Sequence, residues 1–350
     1  MEELKNYLKP LAYLDQNILD YLSKETEVDD EAIQFLKENF QIVYSSITLQ
    51  EIYKAGLNGG EHYSNNFLRL LTYLDAQFIF LQIIDNQVTN TLMRSLLSPQ
   101  FHYQEFLSNL NFDDFTYPVL KTNLAVWGGI DNLDQLRQEQ KNSLVKLIVF
   151  MQEQLNYLKS LESSDPVIIE FIYDFSKKLK VIEAQKNHFN INVNFSIDNL
   201  KKIRDEDKSG SMLFRKALKV DINQLRSFEK PNILEKIYKS LKDNNPDLHM
   251  DIEEFFQLKN NYIQPDRDLF VFEKVNIIFT MLNFIGYFSD KKLNRENEFF
   301  ASFRDMNHAS YACFCEYFFS KDMRLKKKIT AIYEYLNIST QICDIQISSK

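Results

Sequence analysis

The chain has 350 residues, 45% of them hydrophobic, with 29 Phe, 18 Tyr and a single Trp. That is ample material for a buried core and excludes disorder as a global description, while seven glycines and seven prolines are too few for the turns of an all-β protein. The formal net charge of −8, from 41 basic and 49 acidic side chains, excludes a protein that coats nucleic acid or an anionic membrane with its whole surface, but leaves room for a local basic track.

The N-terminus "MEELKNYLKP" is charged and lacks the apolar stretch of a secretion signal. "LAYLD" then reads as a short strand ending on Asp15, and "QNILDYLSK" has helical spacing at Ile18, Leu19 and Leu22. "DDEAIQFLKENF" is an amphipathic helix with acids in its first turn, where they complement the helix dipole. "QIVYSS" reads as a second strand, "ITLQEIYKAG" as a helix closed by Gly56, and "AQFIFLQI" as a third strand. This alternation predicts an α/β fold: a doubly wound, mainly parallel sheet of about five strands with flanking helices.

From residue 90 to 295 the alternation gives way to long helical patterns such as "NSLVKLIVFMQEQLNYLKSLE" and "PVIIEFIYDFSKKLKVIEAQK". The most apolar window, "LFVFEKVNIIFTMLNFIGYF", is interrupted by Glu273, Lys274, Asn276 and Asn283. It therefore reads as a core helix, since a membrane span needs about 18 uninterrupted apolar residues. Strand patterns return in "CEYFFS" and "TQICDIQI", on either side of the helix "KKKITAIYEYL". The expected organisation is a core of residues 1–89 and 296–350 interrupted by an all-helical insertion over 90–295. Cys313, Cys315 and Cys343 are too few for a disulfide framework; buried thiols in a reducing, cytoplasmic compartment are expected, with no membrane partner.

Ligands of a doubly wound sheet bind beyond the carboxyl ends of its strands. Asp15 ends the first strand, Glu51 lies in the first turns of the helix after the second, and Asp322 follows "CEYFFS". Asp305 is expected to open the helix that feeds that last strand. Four acids from four segments are thus expected at one edge. Like charges packed together are unfavourable unless a cation offsets them, and Mg²⁺ or Mn²⁺, hard ions held by a few carboxylates with water and phosphate oxygens, suit the arrangement.

These residues resemble a known family. "YLDQNILDYL", "YSSITLQEI" and "RDMNHASYACFCEYFFSKDMRL" are similar to the PIN-domain nucleases over roughly residues 8–84 and 300–347. The resemblance implies Asp15, Glu51, Asp305 and Asp322 as the catalytic, metal-binding set, with Asn17 and Ser320, the latter in place of the usual threonine, orienting those carboxylates or the scissile phosphate, and Glu316 as a candidate fifth acid. It implies endonucleolytic, metal-dependent cleavage of RNA, DNA being the less favoured substrate, in a toxin or antiviral defence setting. His308, three residues beyond Asp305, is read as a supporting group rather than a ligand. Arg304 and His308 stand too close for the R-x(4–6)-H motif of HEPN ribonucleases. Lys321, Arg324, Lys326, Lys327 and Lys328, beside Asp322, are expected to contact phosphates. The rival reading is a non-catalytic PIN-like scaffold whose helical insertion binds a regulatory protein or a second copy of the chain.

Overall fold

In "LAYL" every second side chain turns to the same side of the sheet, as strand geometry requires. Tyr13 faces one buried layer while Ala12 and Leu14 face another, and all three are essentially inaccessible. A strand buried on both faces belongs in the middle of a parallel sheet, and this one, β1 (Leu11–Leu14), does. The computed structural model describes residues 9–24, 30–84, 87–110, 113–206, 209–261 and 264–344.

After β1 come α1 (Gln16–Lys24), α2 (Asp30–Asn39), β2 (Gln41–Tyr44), α3 (Ser46–Gly59), α4 (Glu61–Tyr73), β3 (Gln77–Ile84), β4 (Gln87–Ser95) and α5 (Pro99–Ser108). A helical stretch follows: α6 (Asp113–Val126), α7 (Leu133–Ser160), α8 (Pro166–Glu206), α9 (Gly210–Ala217), α10 (Ile222–Arg226), α11 (Ile233–Asn244), α12 (Ile252–Phe255) and α13 (Val271–Ile285). The chain closes with α14 (Glu296–Ala312), β5 (Tyr317–Phe319), α15 (Met323–Tyr335) and β6 (Gln341–Cys343). Residues 345–347, assigned to the last strand in the sequence, lie outside the described residues.

Among the described residues the sheet has six strands in the order β4-β3-β2-β1-β5-β6, and every neighbouring pair is parallel except β3 with β4. The chain leaves β1 toward β2 and β3, then returns to the other side of β1 with β5. The order reverses between β1 and β5, and a crevice beyond the carboxyl ends of such a pair is where ligands bind. Leu14 pairs with Phe319, and the Asp15 amide donates to the Phe319 carbonyl at 2.9 Å. Asp15 and Ser320 therefore leave the sheet side by side.

Two compact units make up the chain: Met1–Ser108 with Phe214–Lys291 and Phe300–Lys350, and Asn109–Leu213 with Lys292–Phe299. The first contains the sheet. One face is covered by α1 to α5, the other by α11, α13, α14 and α15. The helical stretch expected over 90–295 therefore begins inside β4 and divides between the two units. β4, "QVTNTLMRS", has no alternating buried face, since most of its side chains are exposed, which is why its sequence does not read as a strand. The helix α13 belongs with the sheet because its stripe of Val275, Ile278, Phe279 and Leu282 is buried against the face that Tyr13 presents. Among the described residues no helix is long and apolar enough to cross a membrane. The second unit is built on the pairing of α6, α7 and α8, with Leu133, Leu136, Val193 and Ile197 at its centre.

Ile278 is fully buried, so Ile278→Ala is expected to lower the unfolding free energy by about 2–5 kcal/mol in urea titration. Ile84→Ala, at a side chain that is 52% exposed, should stay within about 0.5 kcal/mol of the parent.

Candidate functional site

All the side chains that follow belong to the sheet-bearing unit. Asp15 is 1% exposed. Its Oδ1 accepts the Gln16 amide at 2.8 Å, and its Oδ2 accepts Ser320 Oγ at 2.7 Å and Asn17 Nδ2 at 3.2 Å. Asn17 and Ser320 thus orient this carboxylate, as expected from the sequence. Burial pushes the Asp15 carboxyl up, against the pull of the neighbouring His308.

Glu51 lies in the second turn of α3, a helix started by a capping box between Ser45 and Thr48. Its Oε1 accepts from Arg304 Nε at 3.1 Å, and its Oε2 lies 2.8 Å from His308 Nε2. Burial pushes the Glu51 carboxyl up but is outweighed by these two cationic partners, which hold it below the usual range. Glu51 enters the site as the counter-ion of Arg304 and His308, not as an open carboxylate. His308 is wholly buried, and its Nδ1 lies 2.8 Å from Tyr13 Oη, which in turn is 2.7 Å from Ser45 Oγ. Burial pulls the imidazole down, yet Glu51, Asp15 and Asp305 together raise it. With both ring nitrogens facing oxygens, the imidazolium is accommodated without an unmatched N–H.

Asp305 departs from expectation in one respect. It does not open a helix, because α14 starts nine residues earlier at Glu296. "ENEFFASFRDMNHASYA" contains no Gly or Pro, and its acidic first turn suits a helix start at Glu296. Asp305 projects from the middle of that helix, half-buried, and no hydrogen bond or ion pair to its carboxylate is found among the described residues. Burial, with the Asp15 and Asp290 charges, pushes its carboxyl well up. The N-cap is Asp322 instead: its Oδ1 accepts the Arg324 and Leu325 amides at 2.7 and 3.0 Å, opening α15, and the Asp322 amide donates to Ser320 Oγ at 3.1 Å.

Glu316 does not join the other acids. It precedes β5 while Ser320 follows it, so it stands at the opposite end of the strand, about 13 Å away by strand rise. There its Oε2 accepts the Leu11 amide at 2.7 Å.

The basic run also differs from the expected phosphate track. Lys328 is wholly buried, because it falls in the inward stripe of α15 with Leu325, Ile329 and Ile332. Lys326 pairs with Asp344 at 2.6 Å and Lys327 with Glu229 at 3.0 Å, and Arg324 donates to the Ser289 carbonyl at 3.1 Å. Lys321 stays exposed, its ammonium 3.4 Å from the centre of the Tyr21 ring. Sequence reasoning did not assign Arg304 and Tyr13 to the site. The four-residue spacing of Arg304 and His308, which puts them on one helix face, was the available sign for the first. Cys315 is buried, and burial pushes the half-buried Cys313 thiol up to about 12, so neither is poised as a nucleophile.

Among the described residues no three His, Cys, Asp or Glu side chains form a group that could hold a metal ion. The donor set is therefore narrower than four acids. Asp305, with no hydrogen-bond partner, and Asp15, whose charge it feels, remain, two hard carboxylates whose ionisation is disfavoured where they stand. Mg²⁺ is commonly held by one or two protein carboxylates with water and phosphate oxygens, a smaller demand than the three-residue group that is absent among the described residues.

The raised His308 contributes stability that is complete below about pH 6.5, its unfolded value, and is lost as pH rises through the folded value. The lowered Glu51 contributes stability present above its unfolded value near 4.5 and lost as pH falls through the folded one. His308→Gln is therefore expected to cost most, about 3 kcal/mol, between pH 4.5 and 6.5. The loss should shrink on the alkaline side in urea titrations run across pH; a loss independent of pH would mean that the pair is uncharged.

No protein-family model, curated protein or solved structure matches this chain, so its own geometry carries the functional assignment.

Proposed function

We propose that the chain is a metal-dependent phosphodiesterase with a PIN-like core that cleaves RNA internally. The observation that carries this reading is Asp305: an unpartnered, half-buried carboxylate held near a second buried carboxylate, Asp15, at the reversal point of a parallel sheet. Such a pair is unfavourable alone and is relieved by a divalent cation. Bound there, Mg²⁺ or Mn²⁺ would lower the pKa of a water and stabilise charge growing on a phosphate. Ser320, Asn17 and the Gln16 amide fix the Asp15 oxygens. His308 and Arg304 hold Glu51 in place, and the net cationic character of that trio limits repulsion among the acids. Asp322, two residues beyond Ser320, caps α15 through Oδ1. Lys321, exposed and stacked over Tyr21, is the basic group left for phosphate contact.

A non-catalytic scaffold is the second reading, and Glu51 favours it, because its engagement with Arg304 and His308 removes one carboxylate from the ligand set. The two readings part on purified protein given RNA and DNA pools with Mg²⁺ or Mn²⁺. The parent is expected to cleave RNA in preference to DNA, and Asp305→Asn to reduce cleavage by about a hundredfold or more, the scale of losing one electrostatic stabiliser. The same variant should melt higher than the parent at pH 7 without metal. Its raised carboxyl destabilises the fold as pH rises above about 4, and the difference should vanish below that pH. No cleavage by the parent and no metal shift of its melting curve would leave the scaffold.

Lys321→Ala is expected to weaken RNA binding and reduce the logarithmic salt slope by about 0.7, the value for one phosphate contact on a single strand. Lys326→Ala and Lys327→Ala, at residues already paired to carboxylates, should change the slope much less.

A further inference from the structure

In the second unit, the α7–α8 hairpin carries a surface left open among the described residues. Three cross-links fix its register: Asp134 to Lys201, Arg137 to Asp198 and Gln152 to Glu183. Each pair of residue numbers has the same sum, so the two helices run antiparallel without slipping. At one end α6 packs on α7, joining Lys121 to Glu139, and Thr122 and the Pro118 carbonyl to Gln140. Further out, the cluster of Ile148, Leu155 and Leu179 is completed from α7 and α8 alone.

Two helices in contact bury one stripe each and leave their flanks in water. On α8 one flank holds Val167, Phe171, Asp174, Lys178 and Val181, spaced by three and four residues and so on one side of the helix. All five are exposed, Phe171 by 57% and Val181 by 51%. Asp174 and Lys178 stand four residues apart, where an acid and a base can pair along a helix. Among the described residues neither of them forms an ion pair.

The stripe is its own complement. Turned end for end about a twofold axis level with Ser176, it sets Phe171 against Val181 of a second copy and Asp174 against Lys178, each contact being made twice. The surrounding charges obey the same symmetry. Residues 161–175 hold Glu162, Asp165, Glu170 and Asp174 and no lysine or arginine, whereas residues 177–191 hold Lys177, Lys178, Lys180 and Lys186 against Glu183, with His188. The register of α7 sets Lys159 level with the axis, and places Glu153 and Lys146, which offset each other, beside the second half. An antiparallel pairing therefore lays the acidic half of each copy on the basic half of the other. The same acids, at the more apolar end, oppose an anionic lipid surface or a nucleic acid. We propose that the outer part of the α7–α8 hairpin is a dimerisation surface, on which α8 packs antiparallel against α8 of a second copy of this chain. The proposal does not depend on whether the chain cleaves RNA.

The test is sedimentation equilibrium of the purified full chain at concentrations up to about 100 μM, well above the micromolar affinity of a weak but specific interface. The parent is expected to reach twice the chain mass. Asp174→Lys and Lys178→Asp, both at exposed positions, should each weaken dimerisation about tenfold or more, because two attractive pairs become repulsive ones. Combined in one chain, the two changes should restore it. An equimolar mixture of the single variants should associate where neither does alone, since each presents the charge the other needs. Damage to packing or to the helix cannot produce that rescue. A parent that stays monomeric overturns the proposal. So does a dimer indifferent to the charge reversals, which must be built elsewhere on the chain, and so do single variants that gain nothing on mixing. A monomeric parent that floats with phosphatidylcholine vesicles, and ceases to do so as Phe171→Ser, would assign the stripe to a lipid surface and overturn it as well.

Discussion

Asp15 combines an ionisable carboxyl with near-complete burial, and the surrounding structure is organised to tolerate it. A carboxylate removed from water needs hydrogen bonds or opposite charge. Asp15 has both: the serine that follows β5, an asparagine and an amide from the start of α1, and the imidazole of His308 nearby. The asparagine and the amide are local, but the serine depends on the pairing of β1 with β5, which sets Ser320 level with Asp15. A one-residue slip would turn Phe318 and Phe319 to the wrong layers and take the serine away from the carboxylate. The apolar alternation of β5 is therefore what keeps the polar contact in register.

The helix α14 does for the other side of the site what β1 does for this one. Within seven residues it supplies Ser302 to Asp290 and Asn283, Arg304 and His308 to Glu51, and Asp305 with no hydrogen-bond partner. The anchors on either side of Asp305 hold the helix face in position, so an unpaired carboxylate persists there without the helix rotating to bury or solvate it. Rigid support of one open carboxylate between satisfied neighbours is the kind of pre-organisation a site requires.

Much of this arrangement was legible in the sequence, and the exceptions have physical reasons. Strand-like runs ending at Asp15 and near Ser320, and the helix carrying Glu51, follow from short-range alternation and spacing. The partners of Asp15, Asn17 and Ser320, lie close to it along the chain or along the paired strand. What the sequence hid was long-range pairing. Glu51 reads as an open acid until Arg304 and His308, more than two hundred positions away, are brought against it. Lys328 reads as the end of a basic run, yet its helical phase places it in the inward stripe of Leu325, Ile329 and Ile332. Glu316 is a similar case, since a strand of three residues is long enough to separate its two ends chemically. β4 escaped notice because neither of its faces is buried.

The wide separation of β1 from its partner also governs when the site can exist. As the chain grows from its N-terminus, β1 and β2 can pair early, but the other edge of β1 stays open until residues 317–319 have been made. Asp305, His308, Ser320 and Lys328 arrive in that same final stretch, so Asp15 is buried, neutralised and joined to its companions only near the end of synthesis. Non-local pairing of this kind is slow and leaves strand edges exposed in the interval. A chain interrupted within its first three hundred residues would carry the central strand and the long helices, yet none of the α14 groups from Ser302 onward, so Asp15 would lack both His308 and Ser320.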